Sequence, residues 1–192
     1  MPDKTLHLFA VYLGGRAPKC NIELHDVVFV VGPSIEDTYS QLLDKWFGSP
    51  LRMHIDSWLD LRVVDGWRVA LRPEPSPGPH KLYFINLGAY VPGQFTELHA
   101  NAFVVATSGQ EVNQRAKRDL LRGTDSLHTD DLYEIDDCLE IGEVDGLHVH
   151  LEPTQERPTF EPRNGYHKIP KDVVEAYATR RGIAPISGTS EA

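Results

Sequence analysis

A long stretch of this chain occurs twice. Leu13-Gly14, Pro18, Glu23-Leu24-His25, Phe29-Val30-Val31, Ser34, His54 and Asp56 return 74 residues downstream as Leu87-Gly88, Pro92, Glu97-Leu98-His99, Phe103-Val104-Val105, Ser108, His128 and Asp130. A common spacing held without a gap over this distance marks a duplicated structural unit, and repeats have to be assigned before a fold. A unit of roughly 70 residues is marginal alone, so the two copies are expected to fold as one cooperative body. The duplication also limits functional inference, because a residue kept twice can serve simply to build the unit twice.

Within the first copy, residues 6–71, the pattern predicts a strand over Leu6–Leu13, a loop bearing Gly and Pro, and an apolar second strand over Val27–Val31. A run apolar on both faces reads as a buried central strand. Ser34 with Asp37 makes a capping-box-like start for a helix whose apolar face is Ile35, Tyr39, Leu42, Leu43, Trp46 and Phe47. A third strand alternates, with Met53, Ile55, Leu59 and Leu61 on one face and His54, Asp56, Trp58 and Asp60 on the other. Asp65-Gly66 is a type I′ hairpin signal. The second copy, residues 81–151, repeats this order, with Ser108 and Glu111 capping a helix that carries Val112, Ala116 and Leu120. Its hairpin signal, Asp145-Gly146, is displaced by 80 residues, which places a six-residue insertion between Ile135 and Val144.

The fold class expected is therefore α+β: tandem ββαββ units related by a pseudo-two-fold, each a β-grasp-like mixed sheet with one packed helix. The four prolines of residues 72–80 make a stiff linker. Residues 152–192 form a Pro-rich tail with a short helix over 170–181, where Pro170 sits near the first turn and Gly182 just past the end.

Several of these residues carry a resemblance. Leu13-Gly14-Gly15, Glu23-Leu24-His25-Asp26, Ser34-Ile35-Glu36-Asp37-Thr38-Tyr39 and His54-Ile55-Asp56-Ser57-Trp58, with Asn86-Leu87-Gly88 and Pro92 to His99 in the second copy, resemble a bacterial family known only as a domain of unknown function. The resemblance spans residues 6–151 and implies a bacterial, cytosolic protein built of small α+β repeats; it implies no activity. Ala89 stands where the first copy has Gly15. In the tail, Ile169 to Tyr177 is similar to the last helix of actinobacterial nucleoid-associated DNA-binding domains. The Arg-Gly-Arg that precedes that helix is replaced here by Asn164-Gly165-Tyr166-His167-Lys168.

Charge and composition narrow the partners. A net charge of −9 argues against general affinity for nucleic acid or an anionic membrane. The tail over 157–181 is the one alternative place for nucleic-acid contact. The apolar run Leu6–Leu13 is too brief for a signal-peptide core, and no run is long enough to span a membrane. Cys20 and Cys138 lie at unmatched positions and read as free thiols, which fits a cytoplasmic location.

The candidate ligand site is Glu23, His25 and Asp26 with His54 and Asp56, repeated as Glu97 and His99 with His128 and Asp130. Imidazole plus carboxylate suits both a first-row metal and general acid/base chemistry. The same residue types also satisfy backbone groups at strand ends, and retention in both copies favours that scaffold role. Gly14, Gly15 and Arg16 form a weaker anion-binding candidate, read otherwise as a loop needing positive φ. No catalytic residue, metal ligand set or cofactor is assigned, and no Cys-x-x-Cys pair or nucleophile elbow is present. The leading reading is a non-enzymatic cytosolic module that binds a small molecule or protein, with a homo-oligomer left open. The alternative is a metal-dependent or hydrolase-like enzyme using the Glu/His/His/Asp set.

Overall fold

The computed structural model describes residues 5–90, 92–116, 134–158 and 160–183. The chain forms two compact units: residues 1–61 with 160–192, and residues 62–159. Both are α+β, with antiparallel sheets and short helices.

In the first unit, β1 (His7–Gly15) is the middle of the repeat's three strands, flanked by β2 (Leu24–Gly32) and β3 (His54–Asp60). Both pairings are antiparallel, so the mixed sheet expected from the sequence is not formed. Between β2 and β3 a 3-10 turn, Glu36–Thr38, leads into α1 (Tyr39–Lys45), and a second, Pro50–Arg52, leads out to β3. The Ser34 hydroxyl donates to Asp37 Oδ2 at 2.9 Å and accepts weakly from the Asp37 amide, which fixes the entry to the first turn. Leu42, Leu43 and Trp46 pack on Phe9, Val11, Leu13, Val28, Val30 and Ile55 of the sheet. Phe47 was expected on that face but is exposed, because the backbone turns extended at Trp46 and ends the helical register.

The C-terminal segment completes this unit. β11 (His167–Lys168) adds to the free edge of β3, and α3 (Lys171–Arg181) follows it. Pro170 precedes the helix, and Gly182 closes it at φ 65, a left-handed conformation that glycine adopts without a Cβ clash. Ile169, Val174 and Tyr177 enter the same core as α1. The tail is thus a structural part of the first unit rather than an appendage to the second repeat.

The second unit repeats the arrangement with β6 (Lys81–Ala89), β7 (Leu98–Ala106), α2 (Gly109–Arg115) and β8 (Glu134–Ile141), in the order β7-β6-β8. The register of β6 on β7, Lys81↔Ala106 through Ala89↔Leu98, is that of β1 on β2 shifted by the repeat offset at every position. Ser108 accepts from the Glu111 amide while the Glu111 carboxylate accepts from the Thr107 amide, a reciprocal cap. Leu120 and Gly123, expected near the end of this helix, lie outside the described residues.

The hairpins divide the chain differently from the repeat boundary at residue 71. β4 (Val63–Val64) and β5 (Trp67–Arg72) pair with β10 (Leu147–Pro153) and β9 (Glu143–Val144) in one four-stranded sheet, β4-β5-β10-β9. An isolated hairpin is only marginally stable, and joining the two through β5 and β10 removes both inner edges. The turns match: Asp65 and Asp145 both sit at φ 53, each followed by a positive-φ glycine, as a type I′ turn requires. Asp65 also accepts from the Val105 amide and takes a two-pronged contact from the Arg115 guanidinium at 2.6 and 2.9 Å. The first repeat's hairpin is thereby clamped to the second repeat's helix. Cys20 and Cys138 are free. No helix among the described residues is long and apolar enough to cross a membrane.

Candidate functional site

β1 and β3 pair Gly14 with His54 and Leu13 with Ile55, then skip to Tyr12 with Ser57. Asp56 is the extra residue of this β-bulge. The bulge breaks the strict alternation expected of the strand, and Trp58 packs against the core cluster that holds Ile55. It also lets two near neighbours, His54 and Asp56, address one point.

That point is reached from β2 as well. His54 Nε2 lies 3.3 Å from Glu23 Oε1 and 3.2 Å from Asp56 Oδ1. His25 Nε2 lies 3.4 Å from Glu23 Oε1 and 3.3 Å from Asp56 Oδ2. Glu23, His25, His54 and Asp56 thus form one cluster at the end of β1. Asp26 does not join it; its carboxylate accepts from the Val27 amide at 2.8 Å. His54 is 1% exposed, and neither ring nitrogen has a hydrogen-bond partner among the described residues. Asp56 Oδ2 is likewise buried without one. The separations are short, but the directions are not those of N–H···O bonds.

The backbone opposite makes room for this convergence. A Cβ on Gly14 would stand 2.5 Å from His54 Nε2 and 2.6 Å from Asp56 Oδ2. Gly15 lies against the Arg52 carbonyl and the Trp46 ring. Both glycines belong to β1, and neither is among the positive-φ residues. Close approach, rather than a left-handed loop, explains them. Arg16 donates to the Asn21 carbonyl at 3.1 Å, so the expected anion loop has its cation turned to the chain itself.

Two tyrosines flank the cluster. The Tyr12 ring stacks on His25 with centroids 5.3 Å apart, and Tyr166 lies over His54 at 4.1 Å. Burial, then the charges of Asp56 and Asp26, push the Tyr12 phenol above its ordinary pKa. Tyr166 comes from the tail, which grips the bulge of β3. The Gly165 amide donates to the Asp56 carbonyl at 2.8 Å, the Arg163 amide to the Trp58 carbonyl at 3.0 Å, and Ser57 Oγ to Asn164 Oδ1 at 2.6 Å. Sequence reasoning missed Tyr12 and Tyr166, since neither contact follows from spacing.

The second unit holds a thinner version. His99 Nδ1 is 3.4 Å from Asp136 Oδ2, and His99 Nε2 is 3.8 Å from Glu97 Oε2. Tyr90 is hydrogen-bonded to Glu97, which raises the phenol's pKa. The expected partners His128 and Asp130 lie outside the described residues. The register sets Gly88 opposite Glu134 and skips Asp136, as Gly14 faces His54 and Asp56 is skipped. Glu134 and Asp136 therefore occupy the positions of His54 and Asp56. The six-residue insertion falls before β8, not after Ile135. The signal was present in the shared Ile-Asp of His54-Ile55-Asp56 and Glu134-Ile135-Asp136. A constant offset carried past the helix hid it.

The family described as Domain of Unknown Function (DUF1543) matches residues 20–71 and 94–151. The chain belongs to the DUF1543 family. Its two matched stretches contain Glu23, His25, His54 and Asp56 in one and Glu97, His99 and Asp136 in the other. A solved structure, the crystal structure of a protein Il1583 from Idiomarina loihiensis, is similar at 38% identity and a TM-score of 0.69. The similarity covers 86% of this chain and 99% of that one. No curated protein matches the chain.

Proposed function

We propose that this DUF1543 protein is a non-enzymatic binding module of the bacterial cytoplasm, with its binding centre at Glu23, His25, His54 and Asp56. The observation that carries the reading is His54, a buried imidazole that faces two carboxylates with neither nitrogen hydrogen-bonded among the described residues. Leaving a buried polar group unsatisfied costs about 1–3 kcal/mol, and native folds rarely keep such groups without a use for them. A scaffold role would have satisfied His54 instead. Binding is favoured over turnover because His54 is closed under Tyr166, where it can hold a ligand but cannot approach a bulky substrate. The free thiols and the bacterial relative support the location and source.

Urea unfolding in EDTA tests this reading on His25→Ala and Glu23→Gln, both at partly exposed side chains. A binding centre gives changes within about 0.5 kcal/mol of wild type, or a gain, since functional clusters are rarely stability-optimal. A loss of about 1–3 kcal/mol in each variant makes the cluster scaffold and contradicts the proposal.

A further inference from the structure

We infer that the ligand of this centre is a first-row divalent metal ion of the zinc class, held by His25, His54, Glu23 and Asp56; the inference rests on the binding-centre reading above. Two imidazole nitrogens and two carboxylate groups are a donor set for zinc, cobalt or nickel rather than for calcium or magnesium, which take oxygen ligands. The spacing agrees. Bonds of about 2.0–2.2 Å in a tetrahedron set donor atoms roughly 3.3–3.6 Å apart. The four histidine-to-carboxylate separations are 3.2–3.4 Å, with Asp56 presenting Oδ2 to His25 and Oδ1 to His54. The donors of Glu23, His25 and Asp56 all lie within 4.8 Å of one another.

His54 supplies the independent observation. Salt-bridged histidines direct an N–H at a carboxylate oxygen, whereas His54 Nε2 sits beside Glu23 and Asp56 with no such alignment. Imidazole and carboxylates that surround a common point without bonding to each other are arranged as ligands. The missing Cβ of Gly14 keeps that point open. With His54 joining Glu23, His25 and Asp56, four protein donors would fill a tetrahedral shell, the pattern of closed structural sites, while catalytic zinc keeps one position for water. The site is thus one for holding an ion, in line with a non-enzymatic module. The register places Glu134 where the first unit has His54. Among the described residues the second cluster therefore offers one imidazole, that of His99, and the zinc-class site is assigned to the first unit.

The test uses the full chain stripped with EDTA. Cobalt(II) chloride is titrated while the visible spectrum is recorded, and zinc chloride is titrated by calorimetry. One equivalent of each is expected, with the intense visible absorption of four-coordinate cobalt. His25→Ala, at a partly exposed side chain, should weaken zinc by at least the roughly 100-fold that loss of an outer-shell partner can cost. Asp56→Asn should do the same, and His150→Ala, whose ring contacts the Glu74 carbonyl, should leave it unchanged. No saturable zinc or cobalt binding overturns the inference. So does binding that His25→Ala and Asp56→Asn leave intact, or that His150→Ala abolishes. If no metal binds while the EDTA stability of His25→Ala and Glu23→Gln stays at wild type, the binding centre stands and only the metal is wrong.

Discussion

A chain ending at Pro158 is expected to lose the folded first unit. Ile169, Val174 and Tyr177 leave its core in that truncation, and all three are buried against α1 and the sheet. Burying a large apolar side chain contributes about 1.5–3 kcal/mol, so the three together account for roughly 5–9 kcal/mol, comparable with the whole stability of a small domain. Tyr177→Ala alone should cost about 3–5 kcal/mol, because the ring is lost together with its hydroxyl's 2.9 Å bond to Asp44. Asp44 adds a pH signature. The hydrogen bond from Arg181, then that from Tyr177, holds its carboxyl below the ordinary carboxylate range. A carboxyl depressed in the folded state stabilises above its unfolded pKa of about 3.9. That contribution is lost as pH falls through the lower folded value. The difference in urea midpoint between wild type and Asp44→Asn should therefore be present at pH 6 and shrink below about pH 4. Near-native melting of the truncated chain, or a difference that grows in acid, would contradict the account of the tail.

The repeat made much of this architecture legible. Because the offset is constant from β1 through the start of α1, the β1–β2 register transferred to β6 and β7 residue by residue. The type I′ turns and the glycine stop of α3 follow from local backbone preferences and could be read directly. What could not be read depends on partners distant in sequence. Edge pairing has no local code, so nothing in Val63–Arg72 says that its partner strand is Leu147–Pro153, or that His167 and Lys168 lie along β3. The bulge at Asp56 is similarly silent, since a two-residue period looks regular until the register is known. The site was half legible. Glu23, His25, His54 and Asp56 were singled out and do converge, whereas Asp136 was hidden by the insertion and Tyr166 by its distance along the chain.

Gly14→Ala is the second large effect. The added Cβ meets His54 Nε2 at 2.5 Å and Asp56 Oδ2 at 2.6 Å, distances that real Cβ atoms do not adopt. His54 is buried and covered by Tyr166, so it cannot swing aside freely. Overpacking of this kind costs about 1–3 kcal/mol, and it spoils the convergence that binding requires. Gly88→Ala is the matched comparison. Its Cβ meets the ends of the Asp136 and Glu97 side chains, both partly exposed and able to move. The first substitution should lower the urea midpoint and weaken zinc on the order of 100-fold or more. The second should stay within about 0.5 kcal/mol of wild type. Equal tolerance at both glycines would mean that His54 is not fixed where the site needs it.

The central claim is that these four side chains hold an ion in the folded state, and urea unfolding with and without zinc measures it most directly. A ligand that binds only the folded chain adds about 2.7 kcal/mol at a free concentration 100 times its Kd. Wild type is expected to gain that much between EDTA and excess zinc, and His25→Ala to gain little or nothing under the same conditions. A wild-type stability that zinc does not change, or a gain that His25→Ala retains in full, would contradict the account.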